Sequence, residues 1–158
     1  MKMRPAIIAL ALVVFTPSAA RADATLFLGS NSANDERTVA RGFAIGMSLL
    51  IIGFEFEYSG SSADETRAVP SLKTTSGNVL LQTPTSGVQL YFTTGAGFYR
   101  ENLGNDQATD LLLNTGGGAK IHIAGPLRAR LDYRIFNLKG TPRDSTVQRM
   151  YAGLNLAF

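Results

Sequence analysis

Apolar and polar residues alternate with a period of two along most of the chain beyond residue 24. No comparable stretch repeats apolar positions at i, i+3, i+4 and i+7. A period of two is strand geometry, because successive side chains leave opposite faces of a pleated backbone. The clearest run is Leu127-Arg128-Ala129-Arg130-Leu131-Asp132-Tyr133-Arg134-Ile135, with Leu, Ala, Leu, Tyr and Ile on one face and Arg, Arg, Asp and Arg on the other. In a second run, Val88, Leu90, Phe92, Thr94, Ala96 and Phe98 share a face. Sixteen Gly against six Pro fit strands and turns, and the absence of Cys excludes a disulfide scaffold, a thiolate nucleophile and a Cys-ligated metal. With 158 residues the chain is one domain, the usual size being roughly 100–200 residues.

The start reads differently. Met1-Lys2-Met3-Arg4 is basic, Pro5 to Phe15 is apolar, Thr16-Pro17-Ser18 breaks the run, and Ala22-Asp23-Ala24 is a small-x-small cleavage pattern. This is the layout of a secretory signal peptide over 1–24, leaving a mature domain over 25–158. The apolar core is too short to cross a bilayer as a helix, which takes about 20 residues. Loss of Lys2, Arg4, Arg21 and Asp23 reduces the net charge from +3 to +1, so the basic balance belongs mainly to the leader. A nucleic-acid partner is not expected.

The mature region divides into eight strands, near 24–30, 39–48, 51–59, 71–82, 87–101, 109–123, 127–137 and 146–158. The facing of the first and fourth is not fixed by pattern. Longer polar connections fall at 31–38, 60–70, 102–108 and 138–145, and tight turns near 49–50, 83–86 and 124–126. Long and short alternate, so an up-and-down barrel collects the long loops at one rim and the tight turns at the other. Transmembrane barrels have this asymmetry.

Alternation does not itself say which face is inside. A soluble lipocalin-like barrel carrying an apolar ligand buries Leu127, Leu131 and Ile135; a membrane barrel buries the arginines instead. Two features favour the membrane. Gly95, Gly97, Gly116 and Gly118 lie on the polar face, where they make room for long side chains in a narrow lumen. The opposite faces are bulky: Phe43, Ile45 and Met47 on the second strand, Phe54, Phe56 and Tyr58 on the third.

A third feature is the last strand. Tyr151-Ala152-Gly153-Leu154-Asn155-Leu156-Ala157-Phe158 places Tyr151, Gly153, Leu156 and the strand-final Phe158 in the pattern of the outer-membrane β-signal. Here the chain resembles the small eight-stranded outer-membrane barrels of the OmpA/OmpX type. The resemblance implies a closed antiparallel eight-stranded up-and-down transmembrane β-barrel in the outer membrane of a Gram-negative cell envelope. It further implies assembly by the barrel-assembly machinery, contact with outer-membrane lipid and lipopolysaccharide, a monomer, and a structural or surface-interaction role. No peptidoglycan-binding domain follows Phe158, so cell-wall tethering is not expected.

With that facing the lumen receives Glu55, Glu57, Asn114, Lys120, His122, Arg128, Arg130, Asp132, Arg134, Arg149, Tyr151 and Asn155. Pairing about the 124–126 turn sets Lys120 beside Arg130, Gly118 beside Asp132 and Gly116 beside Arg134; pairing of the last two strands sets Arg134 near Arg149 and Asp132 near Tyr151. Glu55 and Glu57 approach this cationic wall from across the barrel. Buried charges must pair. The cluster Glu55, Glu57, Lys120, Arg128, Arg130, Asp132, Arg134 and Arg149 is then either a static filling or the gate of a narrow ion or small-solute pore.

No catalytic residue, metal site or cofactor is expected. His122 is the single His, and its neighbours Ile121, Ile123 and Ala124 supply neither Ser nor carboxylate. The His-x-Ser of outer-membrane lipid A deacylases has Ala124 at its third position. Gly116-Gly117-Gly118 precedes no helix that would complete a phosphate cradle. The loop acids lack calcium-loop spacing. Arg41 and Arg100, near the loop rim, suit lipid phosphates if they face outward.

Overall fold

The computed structural model describes residues 20–67, 69–84 and 87–158. Eight strands, β1 (Ala20–Ala33), β2 (Glu36–Leu49), β3 (Ile52–Ser61), β4 (Ser71–Gln82), β5 (Val88–Leu103), β6 (Asp106–Ala124), β7 (Leu127–Leu138) and β8 (Thr146–Ala157), pair antiparallel in chain order. β8 closes on β1 to complete a barrel. Closure removes every sheet edge, and a bilayer demands this, because no water there satisfies an open edge.

The apolar sides of the strands face outward. Leu26, Phe54, Phe92, Leu131, Met150 and Leu154 are each at least half exposed, whereas Arg130 and Arg134 have no exposure at all. Leu131 and Ile135, which a soluble barrel would put inside, stand on the outer face. On β1, Leu26 and Leu28 point out and Thr25 and Phe27 in; on β4, Lys73, Val79 and Leu81 point out.

The strand set follows the sequence pattern, and the ends differ. The expected loops at 31–38 and 102–108 are two-residue turns, and the strands run on above them. Asn34 and Asp35 take φ of 43° and 67°, and Gly104 takes 58°, mirror-image turn conformations whose twist matches the flanking strands. Polar residues there keep pairing because the ladder is made by backbone groups, whatever the side chains. Only 62–70 and 139–145 stay as longer connections, the first holding a short 3-10 turn at Glu65–Arg67.

β1 begins at Ala20, ahead of the expected cleavage after Ala24. Ala22 and Phe158 exchange backbone hydrogen bonds at 2.9 Å, and the Asp23 carboxylate pairs with Lys120. The apolar core of the leader, Pro5 to Phe15, lies outside the described residues.

Two glycines on β6 mark close approaches. A Cβ at Gly118 would lie 2.6 Å from the Tyr91 hydroxyl, and one at Gly116 would lie 2.8 Å from Arg134 Cα. Each Cβ would also lie 2.1 Å from a β7 backbone carbonyl, of Leu131 and Tyr133 respectively, so the close approach of β7, with the Tyr91 hydroxyl at Gly118, requires glycine at both positions.

Candidate functional site

The lumen is layered. At the loop rim, the 139–145 connection folds over the mouth. Arg143 donates its backbone N–H to Glu101 at 3.1 Å and its guanidinium to Glu36 at 3.3 Å, while Asn34 bonds Asp144. Beneath lies an apolar layer of Leu72, Tyr99, Leu112, Phe136, Leu138 and Val147. Alternation puts all six on inward positions, though none of them carries the charge that marks the lumen face elsewhere.

The charge layer comes next. Arg130 donates to Glu55 at 2.5 Å and to Asp132 at 3.1 Å. Arg134 reaches Glu55 at 2.7 Å, Asp132 at 2.9 Å and Glu57 at 3.3 Å. Arg149 pairs with Glu57 and donates to the Ser59 hydroxyl at 2.7 Å. Three guanidinium groups thus meet three carboxylates, and the cluster is neutral. Carboxylates from β3 and guanidinium groups from β7 and β8 therefore tie opposite walls together.

Aromatic residues extend it. The Tyr91 hydroxyl donates to Asp132 at 2.5 Å and accepts from Arg130 Nε at 2.8 Å. The Arg130 guanidinium lies 4.8 Å from the Tyr91 ring centre, and that of Arg149 lies 4.6 Å from Phe136. Phe27 stacks on Tyr151 at 4.0 Å. Weakly hydrated arginine can sit against rings in this way, whereas lysine keeps its water more tenaciously. Thr25 accepts from Asn155 at 2.9 Å and from Arg130 at 3.4 Å.

The expected cross-strand neighbours are all found: Lys120 with Arg130, Gly118 with Asp132, Gly116 with Arg134, Arg134 with Arg149, and Asp132 with Tyr151. Two expected members stand apart. Arg128 is half-buried near the opposite rim, where it donates to Gln89 at 3.3 Å. His122 is exposed at the turn below, its Nε2 3.0 Å from the Gly125 carbonyl, so it faces no lumen group. Both occupy the last rungs of β6 and β7, at the bulge between His122 and Ala124, where the barrel opens. Lys120 belongs to a separate pair with Asp23.

Sequence reasoning did not find Tyr91, Thr25, Ser59 or Asp23. Tyr91 was legible, since outward Leu90 and Phe92 leave it inward. Asp23 was hidden by its assignment to the leader.

Little space remains inside. The hollow beside Asp23, Gln82 and Lys120 is about 10 Å³, barely what one water needs, and that under the loop-rim cap is about 40 Å³. Larger hollows lie on the apolar exterior, one of them of about 810 Å³ among Ile45, Met47, Phe54, Phe56, Val79 and Ala96. The barrel therefore has the architecture of an integral membrane protein with a plugged lumen. Residues 6–158 match the outer membrane protein beta-barrel domain family, and the chain belongs to that family. It is an integral protein of the outer membrane, immersed in its lipid.

Solved structures agree on the fold. Neisserial surface protein A superposes with a TM-score of 0.71 at 14% identity, covering 89% of this chain and 98% of that one. The N-terminal barrel domain of OprF from Pseudomonas aeruginosa gives 0.61 at 17% identity, covering 87% and 97%. The outer membrane enzyme PagL gives 0.53 at 9% identity, covering 85% and 98%. Among curated proteins, none matches by sequence.

Proposed function

We propose that this protein is a closed, non-conducting and non-enzymatic barrel that reinforces the outer membrane and displays short hairpins at the cell surface. The observation that carries this reading is the neutral Glu55–Glu57–Asp132–Arg130–Arg134–Arg149 network, which fills the lumen and braces its walls. The N-terminal leader directs export, and the rim with the 62–70 and 139–145 connections faces outside. We read the barrel as a monomer, a reading supported by the closure of its sheet within one chain, which needs no second copy to complete it. Its last strand, with Tyr151, Gly153, Leu156 and Phe158, is the segment the assembly machinery reads. Gly153 suits close approach to Phe27, while Leu156 and Phe158 face the lipid side. Lipopolysaccharide is its partner in the outer leaflet.

Planar-bilayer recording of the purified barrel tests this. The expected trace shows no steady channel, and Glu55→Gln leaves it silent. A stable wild-type conductance that Glu55→Gln or Arg130→Ala alters would establish the alternative, a narrow pore gated by this cluster. Enzymatic action on lipid A would appear as an altered lipid A profile on overexpression; the expected profile is unchanged.

A further inference from the structure

The exterior of the strands carries charge at one level above the apolar band. Leu28 pairs with Arg41, Arg41 with Gly60, Gly60 with Lys73, Lys73 with Arg100 and Arg100 with Thr109, so one rung crosses six strands and sets three cations in a row. All three are exposed on the outward face and sit near the loop rim. The rung below is Leu26, Phe43, Tyr58, Thr75, Phe98 and Leu111, a largely apolar and aromatic row.

Two facts make the row unlike scattered surface charge. First, Asp23, Glu55, Glu57, Glu101 and Asp132 turn inward, and among the described residues none of the three cations makes an ion pair with a carboxylate. Arg100 instead donates Nε to the Thr109 hydroxyl at 3.4 Å. Lys73 and Arg100 are direct cross-strand partners, and like charges so placed repel. An anion between them reverses the sign of that interaction. Second, the space for such a ligand exists. A Cβ at Gly60, between Arg41 and Lys73, would meet only Lys73 Cγ, at 3.8 Å. Below Arg41 an apolar hollow of about 750 Å³ runs along Leu26, Leu28, Phe43, Tyr58 and Leu154.

Cations above an apolar hollow match an amphiphile with phosphates at its head and acyl chains below. We propose that Arg41, Lys73 and Arg100 form a binding row for the phosphorylated head group of an outer-leaflet glycolipid of the lipid A class, with an acyl chain in the hollow beneath Arg41. Arginine supplies forked donors that fit phosphate oxygens, and lysine a third point charge. The inference rests on the outward placement of this rim proposed above and names the residues that serve it.

The test uses the full barrel, purified in detergent, with diphosphoryl lipid A, monophosphoryl lipid A, phosphatidylglycerol and inorganic phosphate as probes, binding being read by native mass spectrometry. Diphosphoryl lipid A is expected to bind best, and the Arg41→Gln/Lys73→Gln/Arg100→Gln variant to lose about tenfold, the effect of 1.4 kcal/mol. A control with the same charge loss in the connections, Arg67→Gln/Lys139→Gln/Arg143→Gln, is expected to bind like wild type. Equal loss in both variants, or none in the row variant, overturns the site. Displacement of the lipid by millimolar inorganic phosphate overturns the lipid assignment and leaves a simple anion site. Heat-dependent gel mobility of each variant confirms that it is folded, and surface-protease cleavage of the 139–145 connection in intact cells tests the orientation separately. Failure of that cleavage would overturn the orientation, not the row's affinity.

Discussion

Single residues decide whether this lumen can exist. Glu55, itself buried, holds both Arg130 and Arg134. Removing one partner of a buried ionic network leaves uncompensated charge and costs about 3–5 kcal/mol. Glu55→Gln is therefore expected to lower the urea midpoint of the barrel in phospholipid vesicles by the amount that corresponds to that free energy, and an unchanged midpoint would contradict the pairing. Leu50 presents the opposite case. It is 76% exposed at φ 56° in the turn between β2 and β3, a left-handed conformation that costs a side-chain-bearing residue about 1–2 kcal/mol. Leu50→Gly is expected to raise the same midpoint, and a drop would mean the leucine makes a compensating contact.

At the scale of elements, period two was enough to place eight strands, because each crosses between lipid and lumen and must keep its faces apart. The cross-strand partners of Arg130, Asp132 and Arg134 followed from turn position alone. The extensions of β1, β2, β5 and β6 above the membrane were not legible, since backbone pairing there runs through polar residues such as Asn31, Ser32 and Gln107 that read as loop. Partners across the lumen were legible only as a meeting of signs. Which carboxylate takes which guanidinium depends on barrel shear, which no local pattern carries.

The start of β1 carries its own prediction. Asp23 is the ion-pair partner of Lys120, and Ala22 closes the seam with Phe158. Cleavage after Ala24 would leave a buried lysine unpaired. Ala20-Arg21-Ala22 offers the same small-x-small pattern two residues earlier. The intact mass of protein from the outer membrane is expected to correspond to a chain starting at or before Asp23; a start at Thr25 would contradict the role given to that pair.

For the whole molecule, the layers act together. The 139–145 cap, the apolar layer and the neutral charge layer leave the inside of the barrel almost without free volume, while the hollows of useful size face the lipid. The silent bilayer recording and the lipid-binding exterior row proposed above would both follow from this one arrangement. All of these layers depend on closure of a lipid-facing barrel with charge inside. Gel mobility of the outer-membrane fraction in SDS, boiled against unboiled, tests this most directly. A band that shifts on boiling is expected, because the closed barrel resists SDS until heated. A protein that stays in the soluble fraction and runs alike in both lanes would contradict it.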